Sequence, residues 1–265
     1  MALSDYTPTL MWWADSLSDL DTPTGTTVTN PGALGNPTQG GSASDYYYDF
    51  DGTNDGVMFT PGTPVNEVGT GDITLVMKAR YTGGGVLDIV MQNYDGAGSA
   101  GTSHGYQIRL ESTAAPRVSL LVPPRGDGFR LEGSSNSITL NTDFLVAFKR
   151  SSGSWTMWID DGAATGMSRV TPITNAIGSS AISSCGDIAF GSDRTGAEPS
   201  SFFVYWFLGF DAAISDTDIQ LSTWVTEASL KAVWDPTGPT ITDVNTTESW
   251  TDGDTGLVIT GTGFV

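Results

Sequence analysis

The segment at residues 46–59 most strongly limits the folds open to this chain. It reads YYYDFDGTNDGVMF, so two runs of aromatic and apolar residues flank a cluster of Asp, Asn and Gly. Tyr, Phe and Val favour the pleated surface of a strand. Gly accepts positive φ, and Asp and Asn side chains bond to their own backbone in turns. The segment therefore predicts a strand, a turn rich in oxygen atoms, and a second strand.

The same pattern recurs along most of the chain. Only 6 of the 30 acidic residues are Glu, and the chain holds 33 Gly, a composition that favours turns over helix interiors. Ser151 to Ser154 predicts a hairpin turn, and residues 21–45 predict a long surface loop. Apolar runs bounded by turn residues predict strands at 10–13, 72–80, 86–91, 106–110, 118–122, 129–131, 137–140, 144–150, 155–160, 187–191 and 202–210.

Several of these runs resemble the motifs of laminin-G-like, concanavalin-A-like domains of the kind found in phage. The motifs, in chain order, are LMWWADS at 10–16, FDGTNDGV at 50–57, the hairpin at 144–161, and AISDTDI at 213–219. The resemblance covers residues 8–235 and implies a two-sheet antiparallel jelly-roll sandwich. Ser215 and the apolar spacing after it predict one C-terminal helix of about four to five turns.

Residues 236–265 differ in pattern from what precedes them. A Pro- and Gly-containing linker leads into two strand-like runs, TITDV and LVITGTGF. They resemble the first strands of an immunoglobulin-like repeat of the IPT/TIG kind, which needs about seven strands when complete. We therefore predict an all-β chain with a jelly roll at 1–235 and a partial Ig-like module at 236–265.

The charge of the chain excludes some partners. Its 11 basic and 30 acidic residues give a net charge of −19 and a pI near 4.1. Nucleic acid and anionic membranes would repel such a surface. The sequence contains no run of about 18 apolar residues, the length that a membrane span needs. Its first residues show no secretion signal.

Two candidate ligand sites follow from the turns. Asp49, Asp51, Asn54 and Asp55 offer oxygen atoms of the kind that Ca²⁺ prefers. The alternative is that these oxygens only hydrogen-bond a hairpin turn. Tyr94, Asp95 and Trp206 are the candidates for contacting a sugar, because aromatic faces suit apolar sugar faces and carboxylates suit hydroxyls.

A catalytic site is not evident from the sequence. Jelly-roll glucanases carry two close carboxylates, usually on one strand, whereas none of the six Glu here lies within five residues of another. An arrangement of acids spread over several strands stays open. His104 is the only histidine and shows no Ser-His-Asp relay. We therefore predict that the chain is not an enzyme.

Three functions compete on these grounds. The first is a bacteriophage virion protein, a capsid decoration or a tail or fibre component, located on the virion surface. It would bind the major capsid or tail protein, or surface glycans, and would form homo-oligomers through exposed sheet edges. The second is a bacterial carbohydrate-binding module or adhesin, extracellular or on the cell surface, with or without a dependence on Ca²⁺. The third, with least support, is a glycoside hydrolase.

Overall fold

The structure is a computed structural model. It describes residues 2–15, 20–21, 26–42, 45–61, 69–83, 87–94, 105–111, 114–122, 130–134, 137–162, 165–172, 174–175, 182, 187–193, 195–197 and 199–234. Residues 236–265, the predicted Ig-like module, lie outside these ranges, as do Asp95 and His104.

One sheet, sheet A, contains nine of the described strands. Its main path runs β14-β13-β12-β7-β17-β1-β2, and β5 pairs with β17 beside β1 and with β4. The strands are β1 (Leu10–Trp13), β2 (Leu20–Asp21), β4 (Thr38–Gly40), β5 (Tyr47–Asp51), β7 (Ile73–Tyr81), β12 (Asp143–Ser151), β13 (Ser154–Asp161), β14 (Ser168–Val170) and β17 (Ser201–Phe210).

The second sheet, sheet B, contains eight described strands in the order β15-β11-β10-β9-β8-β16-β6-β3. All of its strand pairs are antiparallel. The strands are β3 (Thr26–Thr29), β6 (Val57–Pro61), β8 (Leu87–Tyr94), β9 (Gly105–Glu111), β10 (Arg117–Leu121), β11 (Arg130–Glu132), β15 (Thr174–Asn175) and β16 (Ile188–Phe190).

The main hydrophobic core lies between the two sheets. Alternate side chains of each strand point into it, as the period of a strand requires. Trp12 of β1 is fully buried there, and its ring lies 4.4 Å from Phe190, 5.4 Å from Phe59 and 5.8 Å from Tyr48, centroid to centroid. The predicted all-β, two-sheet antiparallel sandwich is confirmed.

The predicted hairpin between β12 and β13 is also present. Ser152 and Gly153 both have positive φ, 50° and 79°, which is the conformation of a two-residue type I′ turn. Ser151 pairs directly with Ser154 across it. A turn of this type matches the twist of the two strands, so the local sequence was sufficient to predict it.

Two local predictions were wrong. The predicted loop at 21–45 contains β3 and β4, because polar Thr-rich segments complete sheet edges by pairing with β6 and β5. Residues 137–140 were expected to be a strand. They form turns instead, in which the N–H of Ser137 donates to the carbonyl of Ser134 and that of Thr142 to Thr139.

The predicted C-terminal helix is helical but broken into pieces. Helix α1 (Asp216–Ile219) begins at Ser215, whose hydroxyl accepts the N–H of Asp218 at 3.1 Å, as predicted. A 3-10 turn (Ser222–Val225) and helix α2 (Glu227–Trp234) follow. The chain is extended at Leu221 and at Thr226, so helical hydrogen bonding stops at both points.

These helical segments cover much of the outer face of sheet A. A second hydrophobic cluster forms there, with Trp224 packed against Trp206 and Phe210. The chain therefore has three layers at this end rather than two. Within the described residues, none of the helices has the length and apolarity needed to cross a membrane.

Candidate functional site

The predicted calcium ligands lie at the end of β5 and in the turn after it. Asp49 and Asp51 share the outer face of sheet A, because Tyr48 and Phe50 point into the core between them. One carboxylate oxygen of Asp51 accepts the N–H of Thr53 at 2.7 Å and that of Asn54 at 3.2 Å. The carboxylate of Asp55 accepts the N–H of Asp51 at 3.1 Å. These oxygens hold the turn itself.

The carboxylates of this turn also repel one another. Burial raises the pKa of Asp49 above its ordinary value, and the charge of Asp51 raises it further. Burial is likewise the main cause of the raised pKa of Asp55, opposed by the hydrogen bond from the Asp51 backbone. Among the residues described, no three acidic, His or Cys side chains group as a metal site would require. Calcium binding here stays a prediction.

Of the three predicted sugar-contact residues, only Trp206 has a described side chain. Trp206 was expected to touch a ligand, but its side chain is 0% exposed and packs under the C-terminal helices against Trp224. A β-bulge between Val204 and Trp206 turns both Tyr205 and Trp206 to the outer face of sheet A, and the helices that cover this face bury Trp206. Tyr94 ends β8 opposite Gly105, and its side chain lies outside the described part, as does Asp95.

The sequence-based predictions did not include a polar face on the outer side of sheet B. Tyr106, Ile108 and Leu110 of β9 belong to the core, so the residues that alternate with them point outward. The same argument applies to β10, to β11 and to β8 beyond its bulge between Ile89 and Met91. The outward polar residues on these four neighbouring strands are Gln92, Gln107, Arg109, Glu111, Arg117, Ser119 and Glu132, here called the polar face.

One half of the polar face is a hydrogen-bonded chain of two amides and a guanidinium. Gln92 and Gln107 are direct partners across β8 and β9, and the amide of Gln107 donates to the carbonyl oxygen of Gln92 at 2.6 Å. The Nε of Arg109 donates to the side-chain amide oxygen Oε1 of Gln107. Each group therefore fixes the orientation of the next.

The other half is a cation shared by two carboxylates. Arg117 lies opposite Glu111, and its guanidinium contacts the Glu111 carboxylate at 3.3 Å and that of Glu132 at 2.6 Å. The hydroxyl of Ser119 donates to Glu111 at 2.7 Å. The alignment of β9, β10 and β11 thus brings two Glu residues that are distant in sequence into contact with the same Arg117.

The polar face is buried more deeply than an outer sheet face usually is. None of Gln92, Gln107, Glu111, Ser119 and Glu132 is more than 6% exposed. Burying amides and carboxylates costs free energy unless they are hydrogen-bonded. Apolar Ile89 and Ala189 lie beside them, also buried, while Arg109, Arg117 and Leu121 are partly exposed. The polar face thus combines buried, hydrogen-bonded polar side chains with apolar patches and partly exposed guanidinium groups.

A signal for this face did exist in the sequence. Residues 106–111 read YQIRLE, a strict alternation that predicts one apolar and one polar side of β9. The alternation within β9 does not predict which strands lie beside it. The pairing of Glu111 with Arg117 and of Ser119 with Glu132 arises only when β9, β10 and β11 align.

No protein-family model and no curated protein matches this sequence. Solved structures do match in fold. The binding domain of botulinum neurotoxin serotype G superposes with a TM-score of 0.59 at 10% identity, over 82% of this chain and 50% of that chain. An arabinofuranosidase complexed with arabinofuranosyl-alpha-1,2-xylobiose matches with a TM-score of 0.54 at 14% identity, over 78% and 49% of the two chains.

A third similar structure belongs to botulinum neurotoxin type C, whose cell entry depends on interaction with two ganglioside molecules. It matches with a TM-score of 0.53 at 11% identity, over 82% of this chain and 50% of that one. The chain spans about half the length of the solved chains it matches. At these identities the likeness establishes the fold alone, a two-sheet antiparallel β-sandwich, as predicted from the sequence.

Proposed function

We propose that this chain is a non-catalytic carbohydrate-binding sandwich whose ligand lies on the polar face of sheet B. The observation that carries the proposal is the buried chain of amide, guanidinium and carboxylate groups on the outer side of β8–β11. An outer sheet face needs no such groups for stability, since apolar residues could cover it at lower cost. Groups that are retained and pre-oriented in this way suit a polar ligand.

The chemistry of the face fits a sugar. Sugar hydroxyls both donate and accept hydrogen bonds, and Gln, Arg and Glu side chains together offer both kinds of partner. Partly exposed Leu121 and Met58 supply apolar contact for the C–H groups of a sugar ring. A few placed polar groups beside apolar surface are typical of ligand sites.

The arrangement of the two carboxylates favours binding over catalysis. A glycosidase needs one protonated acid and a second carboxylate that is an unprotonated base or nucleophile. Here Glu111 and Glu132 contact the same guanidinium, whose single positive charge attracts both carboxylates. The pair is therefore built to hold Arg117 in place, and we propose that no bond of the ligand is broken.

The biological setting proposed for this module is the surface of a phage particle. The phage-type motifs at 10–16, 50–57 and 213–219 support it, as does the strongly acidic chain, with a net charge of −19. The major capsid or tail protein would then be a partner. A bacterial adhesin is the alternative setting. Gangliosides and arabinofuranosyl-xylobiose are carbohydrate-bearing ligands of proteins with this fold, which supports glycan binding in either setting.

A glycan array with two matched arginine variants tests the proposal. Arg109→Ala removes a partly exposed guanidinium from the polar face, and Arg169→Ala removes an exposed one from β14 of sheet A. We expect binding by the wild type, a loss of about tenfold in affinity for Arg109→Ala, and no loss for Arg169→Ala. Binding that is equal for all three proteins would contradict the polar face as the site.

A further inference from the structure

The charged side chains of the polar face balance one another. Among its described members, Arg109 and Arg117 are positive, while Glu111 and Glu132 are negative, so their charges sum to zero. The chain that surrounds them has a net charge of −19. An acidic ligand would therefore find no excess of positive charge among these residues, and it would approach a molecule that is negative as a whole.

The two carboxylates of the polar face lie on either side of β10. Strand register places Glu111 of β9 opposite Arg117, and Glu132 of β11 opposite Ser119. Glu111 is 6% exposed and Glu132 is 1% exposed. Water and salt screen buried charges poorly, so their repulsion reaches groups that lie on the strands above them. A ligand that crosses β9, β10 and β11 therefore lies close to two negative charges.

The guanidinium of Arg117 is not arranged to bind an anion. Its Nε lies 2.6 Å from the carboxylate of Glu132, and both Nε and Nη2 donate to one oxygen of Glu111 at 3.3 Å. An anion that binds Arg in bidentate fashion needs two parallel N–H groups, and Glu111 already occupies this edge.

One nitrogen of Arg117 is nevertheless suited to a neutral ligand. The side chain is 24% exposed, and its contacts with other described residues involve Nε and Nη2 but not Nη1. The N–H groups of Nη1 can therefore donate to a ligand oxygen. A sugar hydroxyl or ring oxygen would accept this hydrogen bond without adding a negative charge beside Glu111 and Glu132.

The amide half of the polar face also matches neutral groups. The Gln107 amide donates to Gln92, and Arg109 donates to the amide oxygen of Gln107. Amide side chains donate and accept hydrogen bonds and carry no net charge, as sugar hydroxyls do. An ionised carboxylate or sulfate only accepts hydrogen bonds, so it could pair with the donors of this half but not with its acceptors.

We propose that the polar face binds neutral glycans and rejects acidic ones, and that Glu111 and Glu132 set this selectivity. The inference rests on the proposed function, since it names the ligand class of that same site. A uronic acid, a sialic acid or a sulfated sugar would be repelled by both carboxylates and would compete with them for Arg117. Charges placed against the wrong ligand are a general source of specificity.

A glycan array of matched pairs tests the ligand class with the whole chain. Each neutral glycan is printed beside the same glycan with an acidic group, such as lactose with sialyllactose and methyl-esterified polygalacturonate with the free acid. The neutral member of a pair should bind at least about tenfold more tightly than the acidic member. Raising NaCl from about 20 mM to about 500 mM should narrow this difference, because salt screens the repulsion.

Two conservative variants test the residues that set the selectivity. Glu111→Gln and Glu132→Gln each remove one negative charge while keeping a side chain of similar shape, and each should narrow the difference within a pair about threefold or more. Asp211→Asn is the matched control, because Asp211 is exposed and follows β17 of sheet A. It changes the net charge equally and should leave the difference unchanged. Thermal melting of every variant checks that the fold is retained.

Several outcomes would overturn the selectivity. Acidic members that bind as tightly as neutral ones would do so, as would a preference that both high salt and the Gln variants leave unchanged. Equal narrowing by Asp211→Asn would show that the total charge, and not Glu111 and Glu132, sets the preference.

The same array separates the ligand class from the site. Preferred binding of acidic glycans that is lost in Arg109→Ala would refute the selectivity and leave the polar face as the binding site. Binding of the wild type to none of the printed glycans would refute both.

If a Gln variant fails to fold, the salt dependence of the wild type decides the result. A preference for neutral glycans that stays the same at both salt concentrations would then contradict charge repulsion as its cause.

Discussion

The carboxylates of Glu111 and Glu132, on strands separated by β10, both contact the guanidinium of Arg117. Glu132 is 1% exposed and Glu111 is 6% exposed, so neither charge is well hydrated. Removing the shared cation takes an ion pair from each of two buried carboxylates, which is costly. The stability of this face therefore depends on a residue at its partly exposed rim.

Arg117→Met should destabilise the chain by about 1–3 kcal/mol, less than for a fully buried pair because Arg117 is 24% exposed. Denaturant unfolding measures the loss. Adding Glu111→Gln and Glu132→Gln to Arg117→Met should restore most of the stability. A triple variant as unstable as the single one would show that packing, not charge, sets the cost.

Asp51→Ala should destabilise the turn by about 0.5–1.5 kcal/mol, because its carboxylate accepts two backbone N–H groups. Thermal melting in EDTA and in millimolar CaCl₂ separates this effect from metal binding. If Asp49, Asp51, Asn54 and Asp55 hold Ca²⁺, calcium will raise the melting temperature of the wild type but not of Asp51→Ala. Identical wild-type melting in both buffers would refute the calcium site and leave the turn effect unchanged.

Gly191→Ala should cost about 2–4 kcal/mol. Gly191 has φ of +83°, and a Cβ placed on it would lie 2.1 Å from the ring of Phe50 in the core. Gly69→Ala is the matched control, because Gly69 has φ of +54° but open space where its Cβ would be. The control should cost only about 1 kcal/mol of backbone strain. Equal losses in urea unfolding would mean that the ring moves aside freely.

Trp224→Ala should cost about 3–5 kcal/mol, because Trp224 is fully buried between sheet A and helix α2. Leu221→Ala, at a neighbouring position that is 37% exposed, should change stability by less than about 0.5 kcal/mol. Differential scanning calorimetry measures both. A small loss for Trp224→Ala would mean that the helices only rest on the sandwich and are not part of its core.

Glu227 should make stability fall as pH rises through the weakly acidic range. Burial raises the pKa of Glu227 above its ordinary value, and the attraction of Lys231, at 2.8 Å, opposes this only in part. The folded chain therefore binds this proton more tightly than the unfolded chain does, and stability declines between the two pKa values. Unfolding free energies from about pH 4 to 7 should diverge between wild type and Glu227→Gln. Parallel curves would contradict the raised pKa.

Local sequence determined a large part of the fold. The turn at Ser152 and Gly153, the cap at Ser215 and the strand–turn–strand around Asp51 were all predictable, because each depends on residues within a few positions of one another. The alternating runs then indicated strands with one buried face, and the resemblance of their motifs to laminin-G-like domains implied two sheets. The alternation of apolar and polar residues in β9 also indicated that one side of this strand is polar.

The tertiary structure decided which polar and aromatic side chains lie together on one surface. The bulge beside Tyr205 turned Trp206 to the outer face of sheet A, where Trp224 packs on it, and no local pattern marks this bulge in the pairing with β7. Glu111 met Glu132, and Tyr47 met Phe203, because strands distant in sequence lie side by side. A strand's own residues specify which side chains share a face. Which faces combine into a site depends on non-local pairing, whose energy is set by the whole core.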